Sequence, residues 1–232
     1  MRLKTNFPLL DKMLGGGFSQ QSLVVVNDTS ATSGWMLLSS ILSQELEKEK
    51  YAIIMAFDHS PNLMRKQLKT SGIDVKKLEE EHKLFFVNCF KFAEKIGPLT
   101  VTNPSSSPEV MRPFREVNRI TKGKMKNKTV CVVDSLLSLT TLFSIRDAVS
   151  FGLLMREITV KYGCVAFLLI PDSVDEKCTK MIEYNTDIVL EFEIKEHEGK
   201  KRPMLRINRR FSSLPSDWIP YVAKNGSIRK IG

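Results

Sequence analysis

Residues 24–38 read VVVNDTSATSGWMLL. A run of β-branched residues forms a buried strand, a turn of Asn, Asp, Thr and Ser follows, and an apolar helix begins at once. A phosphate-binding loop of the form G-x-x-x-x-G-K-[ST] is built on the same layout. Its glycines let backbone N–H groups close on the phosphate, its lysine supplies charge, and its hydroxyl holds Mg²⁺. On that frame Asp28 stands at the first glycine, Ser33 at the second, Gly34 at the lysine and Trp35 at the hydroxyl. A change of register does not restore the cation, because no lysine or arginine occurs between residues 18 and 47.

The rest of the chain continues the alternation of strand and helix expected of a mostly parallel α/β sheet flanked by helices. Strands are predicted over residues 22–26, 51–57, 83–90, 129–134 and 164–170, the fourth ending on Asp134. Helices are predicted over 34–49, through 60–72 with Gly72 as a cap, over 74–82, and near 144–162. Residues 101–110 form a polar, proline-bearing loop, and Pro113 is expected to interrupt or delay the helix written in 109–123. The tail over 187–211 alternates like an antiparallel hairpin turning within residues 196–201. With no repeat or low-complexity linker, residues 1–232 read as a single domain.

Composition narrows the function classes. At 232 residues with 42% hydrophobic and 26% charged, the chain can bury a sizeable core. No run approaches the length of a bilayer span and the basic start precedes no long apolar stretch, so a cytoplasmic protein without membrane contact is expected. Cys89, Cys131, Cys164 and Cys178 lack paired spacing and read as buried thiols; the three histidines stand apart from other metal-ligand types. No metal site is expected. The net charge of +9 gathers in residues 122–128, 200–202, 206–210 and 228–230. Only Phe211 supplies an aromatic beside these clusters, which does not make a stacking platform for single strands.

The order of these parts resembles RecA-superfamily domains of the KaiC-like and archaeal RadA-like kind. In residues 5–26, Leu10 and Asp11 and the glycine run 15–17 lead into the strand of the quoted stretch, as in that family. The strand–helix segment 51–90 is similar in layout, TVCVVDSLLSL (129–139) resembles the Walker B strand, and residues 204–232 resemble the terminal hairpin. The resemblance implies a RecA-like sheet, side-by-side packing of subunits, an archaeal flavour and a nucleotide site at the strand ends.

The departures from the family pattern carry the functional expectation. The family's acidic pair after the second strand maps to Asp58 and His59, so one acid remains, a methylene shorter. Asp134 and Ser135 hold the Walker B positions, and a family lysine and arginine map to Asn208 and Arg210. Asp28 puts a negative charge where an anion would sit, and Trp35 is expected to lie largely buried over the same place. Free N–H groups at the helix start still allow weak anion binding. The expected protein is a pseudo-ATPase with a degenerate Walker A motif, no bound cofactor, and a role as an interaction or regulatory subunit. Its expected partners are further copies of itself or an active RecA-like relative, met through Arg209, Arg210 and Phe211. A DNA-binding recombination accessory protein and an ATPase with an altered site using Asp58, His59 and Asp134 remain alternatives.

Overall fold

The computed structural model describes residues 2–29, 33–89, 97–210, 215–224 and 227–230. The chain opens with β1 (Arg2–Leu3), α1 (Pro8–Met13) and β2 (Phe18–Ser19), and β1 pairs antiparallel with β2. Two features of the sequence hold this entry in place. Asp11 accepts the Thr5 N–H at 2.8 Å. Gly17 has φ +111° and lies so close to β1 that a Cβ there would stand 2.2 Å from the Leu3 carbonyl oxygen, so only glycine admits the pairing.

Then come β3 (Leu23–Asp28), α2 (Ser33–Glu47), β4 (Tyr51–Ala56), α3 (Pro61–Thr70), α4 (Val75–Glu80) and β5 (Leu84–Asn88). They are followed by α5 (Ser107–Ile120), β6 (Thr129–Asp134), α6 (Leu137–Leu142), α7 (Ile145–Tyr162), β7 (Val165–Pro171) and α8 (Glu176–Tyr184). The chain closes with β8 (Ile188–His197), β9 (Lys200–Arg210), β10 (Ile219–Lys224) and β11 (Ser227–Lys230). Among the described residues one sheet runs β11-β10-β9-β8-β3-β7-β6-β4-β5. The strands from β8 to β5 are parallel and the last three are added antiparallel. The β8–β9 turn is Glu198-Gly199, both at positive φ, the two-residue form whose twist matches a hairpin.

The central strands are apolar on both faces because both are covered. Val24, Val26, Ile54 and Val132 pack with Leu38, Ile41 and Leu42 of α2 and with Met64 and Leu68 of α3. Leu23, Val25, Ile53, Met55 and Val133 pack on the other side with Phe114 of α5, Phe151 and Met155 of α7 and Ile182 of α8. The mostly parallel sheet with helices on both faces and a C-terminal antiparallel hairpin is the architecture that the strand–helix alternation implied.

Pro113 is a correction. The helix begins at Ser107 with Pro108 in its first turn and runs through Pro113 without interruption. A proline inside a helix costs about 3 kcal/mol, but α5 buries Val110, Met111, Phe114 and Val117, each contributing roughly 1.5 to 3 kcal/mol. Packing outweighs the lost hydrogen bond. The helices α1, α6 and α8 and the β1–β2 pair were not anticipated, although Asp175 caps α8 by accepting the Cys178 N–H at 3.0 Å.

One buried ion pair fixes the far end of α2. Glu45 and Lys50 are 2% and 3% exposed and bonded to each other, and Lys48 reaches the second Glu45 oxygen at 2.9 Å. Lys50→Ala removes one partner of a buried pair and is expected to cost about 3 kcal/mol in urea unfolding, whereas the double change Glu45→Leu/Lys50→Met is expected to stay within about 1 kcal/mol of wild type. An unchanged midpoint for the single variant would contradict this reading.

Candidate functional site

Side chains alternate between the two faces of a strand, so the positions of the acids can be read by parity. Asp28 follows Val24 and Val26, Asp58 follows Ile54 and Ala56, and Asp134 follows Val130 and Val132, all on the α2 face of the sheet. In a parallel sheet these ends lie along one edge, where α/β folds place their ligands. They line a cleft of about 850 Å³ that also contains Trp35, His59 and Ser135, with Leu169 and Pro171 from β7 and Leu137 and Ser138 from the α6 end. Gln67, Thr70 and Ser71 close it from α3.

At the β3–α2 junction, Asp28 is 4% exposed and its Oδ2 accepts the Gly34 backbone N–H at 2.8 Å. This N–H belongs to the first turn of α2, where helical donors have no partner within the helix. The carboxylate therefore meets both an open donor and the positive end of the helix dipole. Gly34 makes the approach possible: a Cβ there would stand 3.0 Å from Asp28 Oδ2, Leu169 Cδ1 and Val26 Cγ1 alike. Ser33 is the first residue of α2, and its side chain lies outside the described residues.

Trp35 is partly buried, packing on the α2-side core with one side toward the cleft. Its Nε1 is shielded and finds no acceptor among the described residues.

The β4 and β6 ends are tied to each other. The N–H groups of Phe57 and Asp58 donate to the Asp134 carbonyl at 2.7 and 3.1 Å. Asp58 Oδ1 accepts the Ser138 N–H at 2.7 Å, and its Oδ2 accepts the Ser135 hydroxyl. His59 Nδ1 lies 2.8 Å from Asp134 Oδ2. That hydrogen bond holds the imidazole above its ordinary value of 6.5; burial opposes it, and the charges of Asp134 and Asp58 reinforce it. Among the described residues that line the cleft, three are carboxylates and none is lysine or arginine. Also among the described residues, no cluster of His, Cys, Asp and Glu could hold a metal ion.

The structure thus brings together Asp28, Trp35, Asp58, His59, Asp134 and Ser135, with the Gly34 N–H at the base. The residues at the end of β9 are elsewhere. Arg209 donates to the Glu183 carbonyl at 2.9 Å and stands 5.7 Å from the Tyr184 ring, and Asn208 donates to Glu191 at 2.7 Å. The Arg210 backbone pairs with Ile188, while its side chain and all of Phe211 lie outside the described residues. Sequence reading missed Ser138 and the α3 wall of Gln67, Thr70 and Ser71. The only signal was the polar last turn of a helix that follows an acidic strand end.

Two outcomes follow from this geometry. His59 is raised in the folded state, so its contribution to stability is complete below about pH 6.5 and fades as pH rises through the folded value. Its side chain is 42% exposed, and a few tenths of a kcal/mol is the expected difference between wild type and His59→Gln at about pH 6, shrinking as the imidazole loses its proton at higher pH. An NMR titration placing His59 below its ordinary value would contradict the pairing. Gly34→Ala, which gains about 1 kcal/mol in an ordinary helix interior, is expected to gain nothing or to destabilise, because the methyl group must displace Asp28, Leu169 or Val26; urea unfolding reads the difference.

A family model described as ATPase, KaiC, matches residues 3–230. Among curated proteins, a UPF0273 protein of Thermotoga maritima is 23% identical over 213 residues, covering 88% of this chain and 84% of its own. A UPF0273 protein of Methanocaldococcus jannaschii is 23% identical and covers 98% of this chain and 95% of its own. The circadian clock oscillator protein KaiC of Prochlorococcus marinus is 27% identical over 81 residues, which are 35% of this chain and 16% of that protein. A solved KaiC-like protein of Pyrococcus horikoshii superposes with a TM-score of 0.78 at 16% identity, over 100% of this chain and 99% of its own. A second P. horikoshii structure, an uncharacterised protein in complex with an unknown peptide, gives 0.82 at 17% identity over 99% and 100%. With a RecA-like sheet, the acids gathered at its strand ends and a family match over nearly its whole length, the chain belongs to the KaiC ATPase family.

Proposed function

We propose that this chain keeps the KaiC fold as a non-catalytic interaction or regulatory subunit, a pseudo-ATPase in which Asp28, Ser33, Gly34 and Trp35 replace the phosphate-binding loop. The observation that carries the proposal is the state of the cleft: its carboxylates are bonded to the chain's own donors, and its described lining offers no lysine or arginine. These residues do not fit a Mg²⁺-triphosphate held in the P-loop manner. Each charge-assisted hydrogen bond removed with the lysine and the hydroxyl is worth roughly 1.5 to 3 kcal/mol. Losing two weakens binding by about two to four powers of ten.

An interaction role also draws support from the relative solved with an unknown peptide, since it has the same fold. Partners are then further copies of this chain or an active relative, and contact rests on packing and charge instead of a shared phosphate. One alternative has specific support: an ATPase with an altered site, favoured by the family's description and by the Asp134-oriented His59, which suits a general base.

Thermal unfolding separates the two readings. A ligand at about 100 times its Kd stabilises the native state by about 2.7 kcal/mol; millimolar Mg-ATP is expected to leave the melting temperature where Mg²⁺ alone leaves it, with no phosphate release above background. A rise that disappears when Mg²⁺ is removed would favour the altered ATPase. Light scattering of the pure protein, or of the complex recovered from native extracts, is expected to show a mass above the 26.4 kDa of one chain. A monomer at high concentration, with no RecA-like protein recovered, would remove the support for an assembly role.

A further inference from the structure

We infer that Asp28 is a tethered anion, a side chain that occupies the phosphate position of its own fold and holds the α2 terminus shut against phosphates. The inference rests on the pseudo-ATPase reading and supplies its physical cause. A lost lysine alone would leave the first-turn N–H groups available, and a helix start with free donors still collects sulfate or phosphate. Here Oδ2 of Asp28 lies 2.8 Å from the Gly34 N–H, which is hydrogen-bond distance for a charge-assisted pair. The carboxylate is held there from outside the helix, as the last residue of β3, and is 4% exposed.

The surroundings fit this group closely. A Cβ on Gly34 would stand 3.0 Å from Asp28 Oδ2, Leu169 Cδ1 and Val26 Cγ1, so a larger residue there would have to push the carboxylate or its apolar neighbours aside. Asp28 and Gly34 are therefore complementary: the aspartate supplies the anion and the glycine lets it reach the backbone. An incoming phosphate oxygen aimed at the same N–H must expel a buried carboxylate oxygen of like charge. A carboxylate six residues upstream on a rigid strand is always present at its site, whereas a free anion has to be bound from solution.

Removing the charge is then expected to unmask a latent anion site. Wild type, Asp28→Gly and Asp28→Asn are compared by thermal unfolding and calorimetry in sodium pyrophosphate and sodium sulfate, against sodium chloride of equal ionic strength. Wild type is expected to gain from sulfate and pyrophosphate only the general stabilisation that such excluded anions give any native state, and the variants are read against that shift. Asp28→Gly, with its cap gone, is expected to melt several degrees lower in chloride and to regain stability in pyrophosphate. Its affinity for pyrophosphate is expected to be at least about tenfold tighter than that of wild type. Asp28→Asn keeps the shape and an acceptor for Gly34 without the charge, and is expected to show the same gain should the glycine variant fail to fold. Equal pyrophosphate affinity in wild type and in the folded variants would overturn the inference. So would a glycine variant that melts like wild type in chloride and ignores pyrophosphate. Stabilisation of wild type by Mg-ATP bears on the pseudo-ATPase reading, whereas the pyrophosphate contrast between wild type and variants bears on Asp28 alone.

Discussion

A hydrogen bond from the Gly34 N–H to the Asp28 carboxylate sits where β3, the central strand of the sheet, leads into α2. At that junction the backbone leaves β3 with first-turn donors exposed, and some acceptor has to meet them. In a phosphate-binding loop the acceptor is a ligand. Here the acceptor of the Gly34 N–H is a side chain. The packing is close at this contact: a Cβ on Gly34 would stand 3.0 Å from Asp28 Oδ2, Val26 Cγ1 and Leu169 Cδ1 alike.

The same closure recurs at the neighbouring strand ends. Asp58 and Asp134 occupy positions from which carboxylates would otherwise reach water or a metal ion, but Asp58 accepts from Ser135 and Ser138 and Asp134 from His59. These contacts join the loop after β4 to the loop before α6, reinforced by two backbone bonds to the Asp134 carbonyl. The result is a large, acidic cleft with an ordered wall, formed by side chains that satisfy one another. Phosphoryl chemistry depends on cations placed around the transferred group, and the described lining of this cleft supplies no lysine or arginine; the proposed interaction role rests on that difference.

The sheet was legible in the sequence because its central strands are buried on both faces and so read as continuous apolar runs, as in LVVV at 23–26 and VCVV at 130–133. The helix through Pro113 was not, because a local rule about proline competes with four buried side chains whose partners are distant in sequence. The site was partly legible. Parity at three strand ends places Asp28, Asp58 and Asp134 on one face, and the missing lysine is visible in any register. The bond from Gly34 to Asp28 and the grip of Ser138 on Asp58 depend on where a backbone N–H points, and residue types do not carry that information.

The most direct test of the closed junction is a high-resolution crystal structure grown with Mg²⁺ and a non-hydrolysable ATP analogue at millimolar concentration. The expected result is Asp28 Oδ2 on the Gly34 N–H with no phosphate density in the first turn of α2. A triphosphate seated on that turn, with Asp28 rotated away from Gly34, would contradict it.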